Sequence, residues 1–140
     1  MAKKDRKILQ QVQIVARLGR TALATRLLEK KLYAGQDQLM LALATQDGQT
    51  PGQLSAELGV RPPTITKTIS RLQAQGFLEK RGSESDARQA HIFLTDAGRE
   101  AIMMIEKSVK KTEKKALDGL GKKDRKALDK LLQRTQGNLS

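Results

Sequence analysis

A mainly α-helical fold with one small β-hairpin is predicted by three features of the sequence. Apolar residues recur at steps of three and four through most of the 140 residues, as amphipathic helices require. Two helix starts, Thr50-Pro51 and Pro62-Pro63, stand close together, with Gly59 punctuating the chain between them. Two short runs, residues 77–81 and 90–94, flank a polar loop, the pattern of a hairpin.

Composition narrows the class. A chain of 140 residues supports one domain with a real core, and residues 1–140 are expected to form a single unit. Lys and Arg total 27 against 15 Asp and Glu, a formal net charge of +12, which points to a polyanionic partner, nucleic acid ahead of an anionic membrane. Cysteine is absent, which excludes disulfides, thiolate zinc sites and cysteine redox switching. The charged N-terminus is followed by no apolar signal region. The longest apolar run, residues 39–44, is far too short to span a bilayer, so the expectation is a soluble cytoplasmic protein without a membrane partner.

Taken in order, residues 4–31 carry Ile8, Val12, Val15, Leu23 and Leu27 on one stripe with no proline, which predicts a long amphipathic helix. At about 1.5 Å per residue it would reach roughly 40 Å, more than a small domain covers, so part of the stripe is expected to pack on a second copy. Gly19 on that stripe permits close helix approach or is a mere flaw. A second helix, residues 36–45, turns Leu39, Met40 and Leu43 inward and stops at Asp47-Gly48. Thr50, Pro51 and Gln53 form a capping-box pattern opening a short helix that buries Leu54 and Leu58, closed by Gly59.

The next helix begins at Pro62-Pro63 and runs to Gln75. It sets Ile65, Ile69 and Leu72 on one stripe and Pro63, Lys67 and Ser70 on the opposite side. Joined to its predecessor by a tight turn, it completes a helix-turn-helix, and its basic, polar face suits the major groove of DNA. Gly76 ends it, and the hairpin that follows makes the unit a winged helix-turn-helix over about residues 36–95. Thr95 caps a long helix expected to turn Ala101, Ile105, Val109 and Ala116 inward until Gly119-Leu120-Gly121 breaks it. A last helix, about residues 124–136 and without a Ser or Thr cap, is expected to bury Leu128, Leu131 and Leu132. The end segments, residues 4–32 and 96–137, are amphipathic and lie outside the central unit. Pairing across a homodimer is the arrangement that covers them.

The order of these parts resembles the multiple antibiotic resistance regulator (MarR) family over about residues 8–136. The resemblance is carried by Gly59-Val60-Arg61-Pro62-Pro63-Thr64, Leu72 with Gly76, Lys80-Arg81, and Asp86-x-Arg88 leading to Leu94-Thr95 and Gly98. It implies a dimeric, sequence-specific binder of double-stranded DNA, many relatives being repressors released by small aromatic or phenolic ligands. Pro63, Thr64 and Lys67 match the base-reading start of the recognition helix, with Thr66 and Arg71 as backbone or base contacts. Arg88 matches the wing arginine of the minor groove, and Asp86 the residue that orients it. With Tyr33, Phe77 and Phe93 as the only aromatics, no aromatic-lined effector pocket is evident.

Other readings are weaker. A non-specific architectural DNA-binding protein would use the same charge without needing a reader helix. An enzyme finds no phosphate loop, metal set or nucleophile with a histidine partner, and no cofactor is implied. His91 stands alone, at the core edge or the rim of an effector pocket. Lys107, Lys110, Lys111, Lys114 and Lys115 read as a solvated helix face that complements the helix C-terminus.

Overall fold

Elements begin where the local chemistry allows. In the computed structural model, which describes residues 6–82 and 89–140, the order is α1 (Ile8–Leu28), α2 (Gln36–Thr45), α3 (Pro51–Leu58), α4 (Pro62–Ala74), β1 (Leu78–Arg81), β2 (His91–Leu94), α5 (Asp96–Ala116) and α6 (Lys122–Leu139). The capping box of α3 forms as expected. The Gln53 N–H donates to Thr50 Oγ1 at 3.1 Å and the Thr50 N–H to Gln53 Oε1 at 2.9 Å. Gly59, at φ 65°, reverses the chain, and the Val60 N–H returns to the Ser55 carbonyl. The short turn to Pro62 follows.

The core joins α2, α3, α4, the hairpin and the first half of α5. Leu39, Met40, Leu43, Leu54, Ile69, Leu72, Ile92 and Ile105 are its fully buried large side chains. The hairpin pairs antiparallel with Leu78 opposite Leu94 and Arg81 opposite His91, and a single bridge from Gln49 to Ile92 adds a third edge. Asp47 fastens this corner. Its Oδ1 accepts from the Leu94 N–H at 3.0 Å and its Oδ2 from Arg99 at 3.0 Å, so one carboxylate joins the end of α2 to β2 and α5. Thr95 ties the same root of the hairpin to the end of α4: its hydroxyl accepts the Gly98 N–H and donates to the Gly76 carbonyl. There α5 comes so close to the hairpin root that a Cβ at Gly98 would lie 2.2 Å from the Phe77 carbonyl oxygen.

Three expectations are corrected at the ends of the chain. The first helix stops at Leu28, short of residue 31, because Lys31 takes a left-handed conformation at φ 60°. In α5 the buried stripe runs through Ala101, Ile102, Ile105 and Ser108, whereas Val109 and Ala116 are exposed. Past Ser108 the helix is mostly exposed, with Thr112 half-buried and Arg26 of α1 beside Lys111, Lys114 and Lys115. The last helix is longer than expected, Lys122–Leu139, and buries nothing, with Leu131 61% and Leu132 44% exposed. Its start, which has no Ser or Thr cap, is mended by two of its own residues. The Gly121 N–H donates to Asp124 Oδ2, and Arg125 donates to the Leu120 and Leu117 carbonyls in the turn after α5. At the other end of the chain Ile8 is 80% exposed, and Leu9, Val15 and Leu18 are exposed with it.

Candidate nucleic-acid interface

Helix α4 presents one face to the core and the other to solvent. Ile65, Ile69 and Leu72 are buried, while Pro63, Thr64, Thr66, Lys67, Ser70 and Arg71 are all exposed. At 3.6 residues per turn these six fall within an arc of about 160°. No acidic residue lies anywhere in the helix, so the arc offers a positive field and side-chain donors.

Hydrogen bonding divides the arc further. The Thr66 hydroxyl donates to the Pro62 carbonyl at 3.0 Å, as that of Thr68 does to Thr64. In this rotamer Thr66 can accept from a base amino group but has no proton left for a phosphate. Lys67 and Arg71 form no ion pair among the described residues, and the cations of both are free to act as donors.

The N-terminus of α4 is chemically quiet. Helix starts ordinarily offer free N–H groups to anions. Here Pro62 and Pro63 have none, and the Thr64 and Ile65 N–H groups both donate to the Arg61 carbonyl, at 3.0 and 3.1 Å. Recognition at this end falls to side chains. Arg61, not among the residues expected to bind, is exposed at the N-cap, where it adds a cation beside the missing amides. Its only signal in the sequence is its place immediately before the proline pair.

In the hairpin, Arg81 lies over the Phe93 ring, 4.2 Å from its centroid, and pairs with Glu79 at 2.6 Å, which makes it a brace rather than a free cation. The expected wing arginine, Arg88, and its orienting Asp86 lie outside the described residues. His91 donates from Nδ1 to the Gly48 carbonyl at 2.8 Å, which settles it at the core edge. Among the described residues no group of three or more His, Asp or Glu side chains could hold a metal, and no helix is long and apolar enough to cross a membrane.

A crevice of about 430 Å³ opens between α1 and the start of α2, lined by Arg17, Arg20, Leu23, Leu27, Tyr33 and Asp37 among others. It is basic at one side and apolar at its floor, and Tyr33 is the one aromatic in its wall. Asp37 is nearly buried there. Burial pushes its carboxyl above the usual carboxylate range, opposed by hydrogen bonds from the Asp37 and Gln38 backbone amides.

Comparison with known proteins agrees with this geometry. A family profile described as MarR family matches residues 36–89. An uncharacterized HTH-type transcriptional regulator, YwoH of Bacillus subtilis (strain 168), is 28% identical over 127 residues, which are 91% of this chain and 92% of the relative. Two solved structures are similar in fold. One is a cysteine-to-serine mutant of MarR from E. coli complexed with operator DNA, with a TM-score of 0.78, 20% identity and coverage of 90% of this chain and 91% of that one. The other is BpsR of Bordetella bronchiseptica, described with the regulation of its DNA binding by 6-hydroxynicotinic acid, with a TM-score of 0.81, 19% identity and coverage of 94% and 99%.

Proposed function

Because the chain belongs to the MarR family of transcriptional regulators, we propose that it is a homodimeric repressor, cytoplasmic, that binds a pseudopalindromic operator and is released from it by a small ligand. The observation that carries the reading is the solvent face of α4, where Pro63, Thr64, Thr66, Lys67 and Arg71 lie together on an acid-free arc. Thr64 and Lys67 near its start read base edges. Arg71, farther along, holds phosphate, and Thr66 accepts from a base. Arg88, oriented by Asp86, enters the minor groove beside this contact. The structural relative bound to operator DNA supports the DNA partner.

Two-fold pairing follows from the uncovered stripes of α1 and α6, whose exposed Ile8, Leu9, Leu131 and Leu132 exceed what a lone helix leaves in water. Regulation by a small ligand is supported by the basic, apolar-floored crevice and by the ligand-regulated relative. A ligand releases DNA only by binding the DNA-incompetent conformation better, so aromatic acids that enter the crevice should raise the operator dissociation constant.

Selection of bound sites from random DNA tests the reading. The expected result is a dyad whose half-sites lie about one helical turn apart, roughly 10 to 10.5 base pairs. Binding competed equally by bulk genomic DNA would favour an architectural protein instead. On the selected operator, Lys67→Ala should cost about 1–3 kcal/mol per half-site and relax preference at one or two positions. A loss confined to the salt dependence would reassign Lys67 to backbone contact.

A further inference from the structure

Helices α1 and α4 end in the same way. At the end of α1 the Lys31 N–H donates to the Leu28 carbonyl and the Leu32 N–H to that of Leu27, both at 3.0 Å, around the left-handed Lys31. At the end of α4 the Gly76 N–H donates to Gln73 and the Phe77 N–H to Leu72, both at 3.0 Å, around Gly76 at φ 85°. Each is a helix stop that turns carbonyls outward. Lys31 is the one residue other than glycine, among those described, with a positive φ, a conformation that a side chain disfavours.

Two glutamine amides bridge these stops. Gln75 donates from Nε2 to the Lys31 carbonyl at 2.9 Å and accepts at Oε1 from Gln36 Nε2 at 2.8 Å. Gln36 in turn accepts at Oε1 from the Tyr33 N–H at 2.9 Å. Every orientation in this chain is forced. Gln36 must aim its oxygen at the Tyr33 N–H, so its nitrogen faces Gln75. Gln75 must then aim its oxygen back, and its nitrogen meets the Lys31 carbonyl. Turning either amide over would set donor against donor or acceptor against acceptor. Gln36 is 2% exposed, so water cannot take the place of its partners.

We infer that Gln36 and Gln75 are positioning residues, a directed relay by which the turn between α1 and α2 fixes the pose of the DNA-reading helix α4. This rests on the DNA-binding role proposed above. Apolar packing of Ile65, Ile69 and Leu72 holds α4 to the core but is not directional. The relay adds direction at the end of α4 far from its reading residues, where a small rotation about the helix axis would move Thr64 and Lys67 across the groove. The turn it engages also contributes Leu32, Tyr33 and Gly35 to the wall of the crevice, so the crevice and the reading face share this one structural joint.

The experiment uses the full chain, the operator selected by the wild type, and the variants Gln75→Ala, Gln75→Glu and Gln36→Ala with Gln75→Ala. Folding is checked by circular dichroism, and binding is measured well below the thermal midpoint. Gln75→Ala should raise the operator dissociation constant up to about tenfold, the upper range for the net worth of one hydrogen bond, with the base consensus unchanged. Adding Gln36→Ala should cost less than about twofold more, because the two residues act as one unit. Gln75→Glu keeps the acceptor for Gln36 and removes the donor to Lys31, and should lose affinity as Gln75→Ala does. Amide exchange at Leu32, Tyr33 and Phe77 should quicken together. A purely structural role would lower the thermal midpoint and leave the affinity of the folded protein as it was, which would overturn the inference. Independent, multiplying losses in the double variant would overturn it as well. A wild type that selects no sequence would instead sink the DNA reading and this role with it, while exchange that quickens at Leu32 and Phe77 would still mark the relay as a physical coupling.

Discussion

The central unit and the terminal helices are built from the same kind of amphipathic pattern and reach opposite ends. From α2 to the first half of α5 the apolar stripes find their complement within the chain, and eight large side chains there are shielded almost completely. In the N-terminal half of α1 and throughout α6 the stripes stay open, with Ile8, Leu9, Val15, Leu128 and Leu131 in water. Periodicity states that a face wants cover. It does not state whose surface supplies it.

The sharpest way to break this comparison is to put charge on the open stripe. Leu128→Glu with Leu131→Glu should leave the fold of the single chain intact, since neither side chain is buried, yet reduce the mass in light scattering from about twice 15.5 kDa to 15.5 kDa. Operator affinity should fall about 100-fold or more as bivalent binding is lost. A charged variant that remained dimeric would place the pairing surface elsewhere.

Truncation inside the closed core should behave in the opposite sense. Leu54→Ala removes a fully buried side chain beside the α3–α4 turn and should cost about 2–5 kcal/mol in denaturant unfolding, with oligomeric mass unchanged while the protein remains folded. Gly98→Ala comes next. The added methyl must push against the Phe77 carbonyl, and a loss of about 1–3 kcal/mol is expected, read as a lower thermal midpoint.

The smallest effect concerns the border between the two regions, at Asp37. Its carboxyl is raised in the folded state by burial, so the native chain holds a proton that the unfolded chain has already released. Its contribution therefore favours the fold at low pH and is lost as pH rises from the ordinary carboxylate pKa through the raised one. Asp37→Asn should remove that segment of the pH dependence and slightly raise the midpoint at neutral pH. A stability profile between pH 3 and pH 7 that is identical in both proteins would show that the two backbone hydrogen bonds cancel the effect of burial.

Legibility from sequence followed the range of the forces. The α3 capping box, the Gly59 reversal, the hairpin and the buried Leu39, Met40 and Leu43 were readable because each depends on residues a few positions apart. The exposed face of α4 was readable for the same reason. Val109, Ala116 and the leucines of α6 find no cover within the single chain, because helical period marks a face without saying what packs on it. The Asp47–Arg99 ion pair and the Gln36–Gln75 bond join residues 52 and 39 positions apart, and neither leaves a pattern in the chain. The crevice between α1 and the start of α2 left no signal in the chain, since its wall depends on a turn whose left-handed Lys31 and Gly35 have no shared motif.

The close approach at Gly98 makes α5 a lever. Its first turn is seated against the hairpin root, with no room for even a methyl group between them, so wing and helix share a fulcrum. The arm is 21 residues, about 30 Å. A tilt of about 5° about that fulcrum carries the far end through nearly 3 Å, about the rise between neighbouring base pairs. Run in reverse, small displacements at the far end become still smaller ones at the hairpin. In a paired assembly, shifts where the far ends of α5 are held would then reach the two wings only in much reduced form.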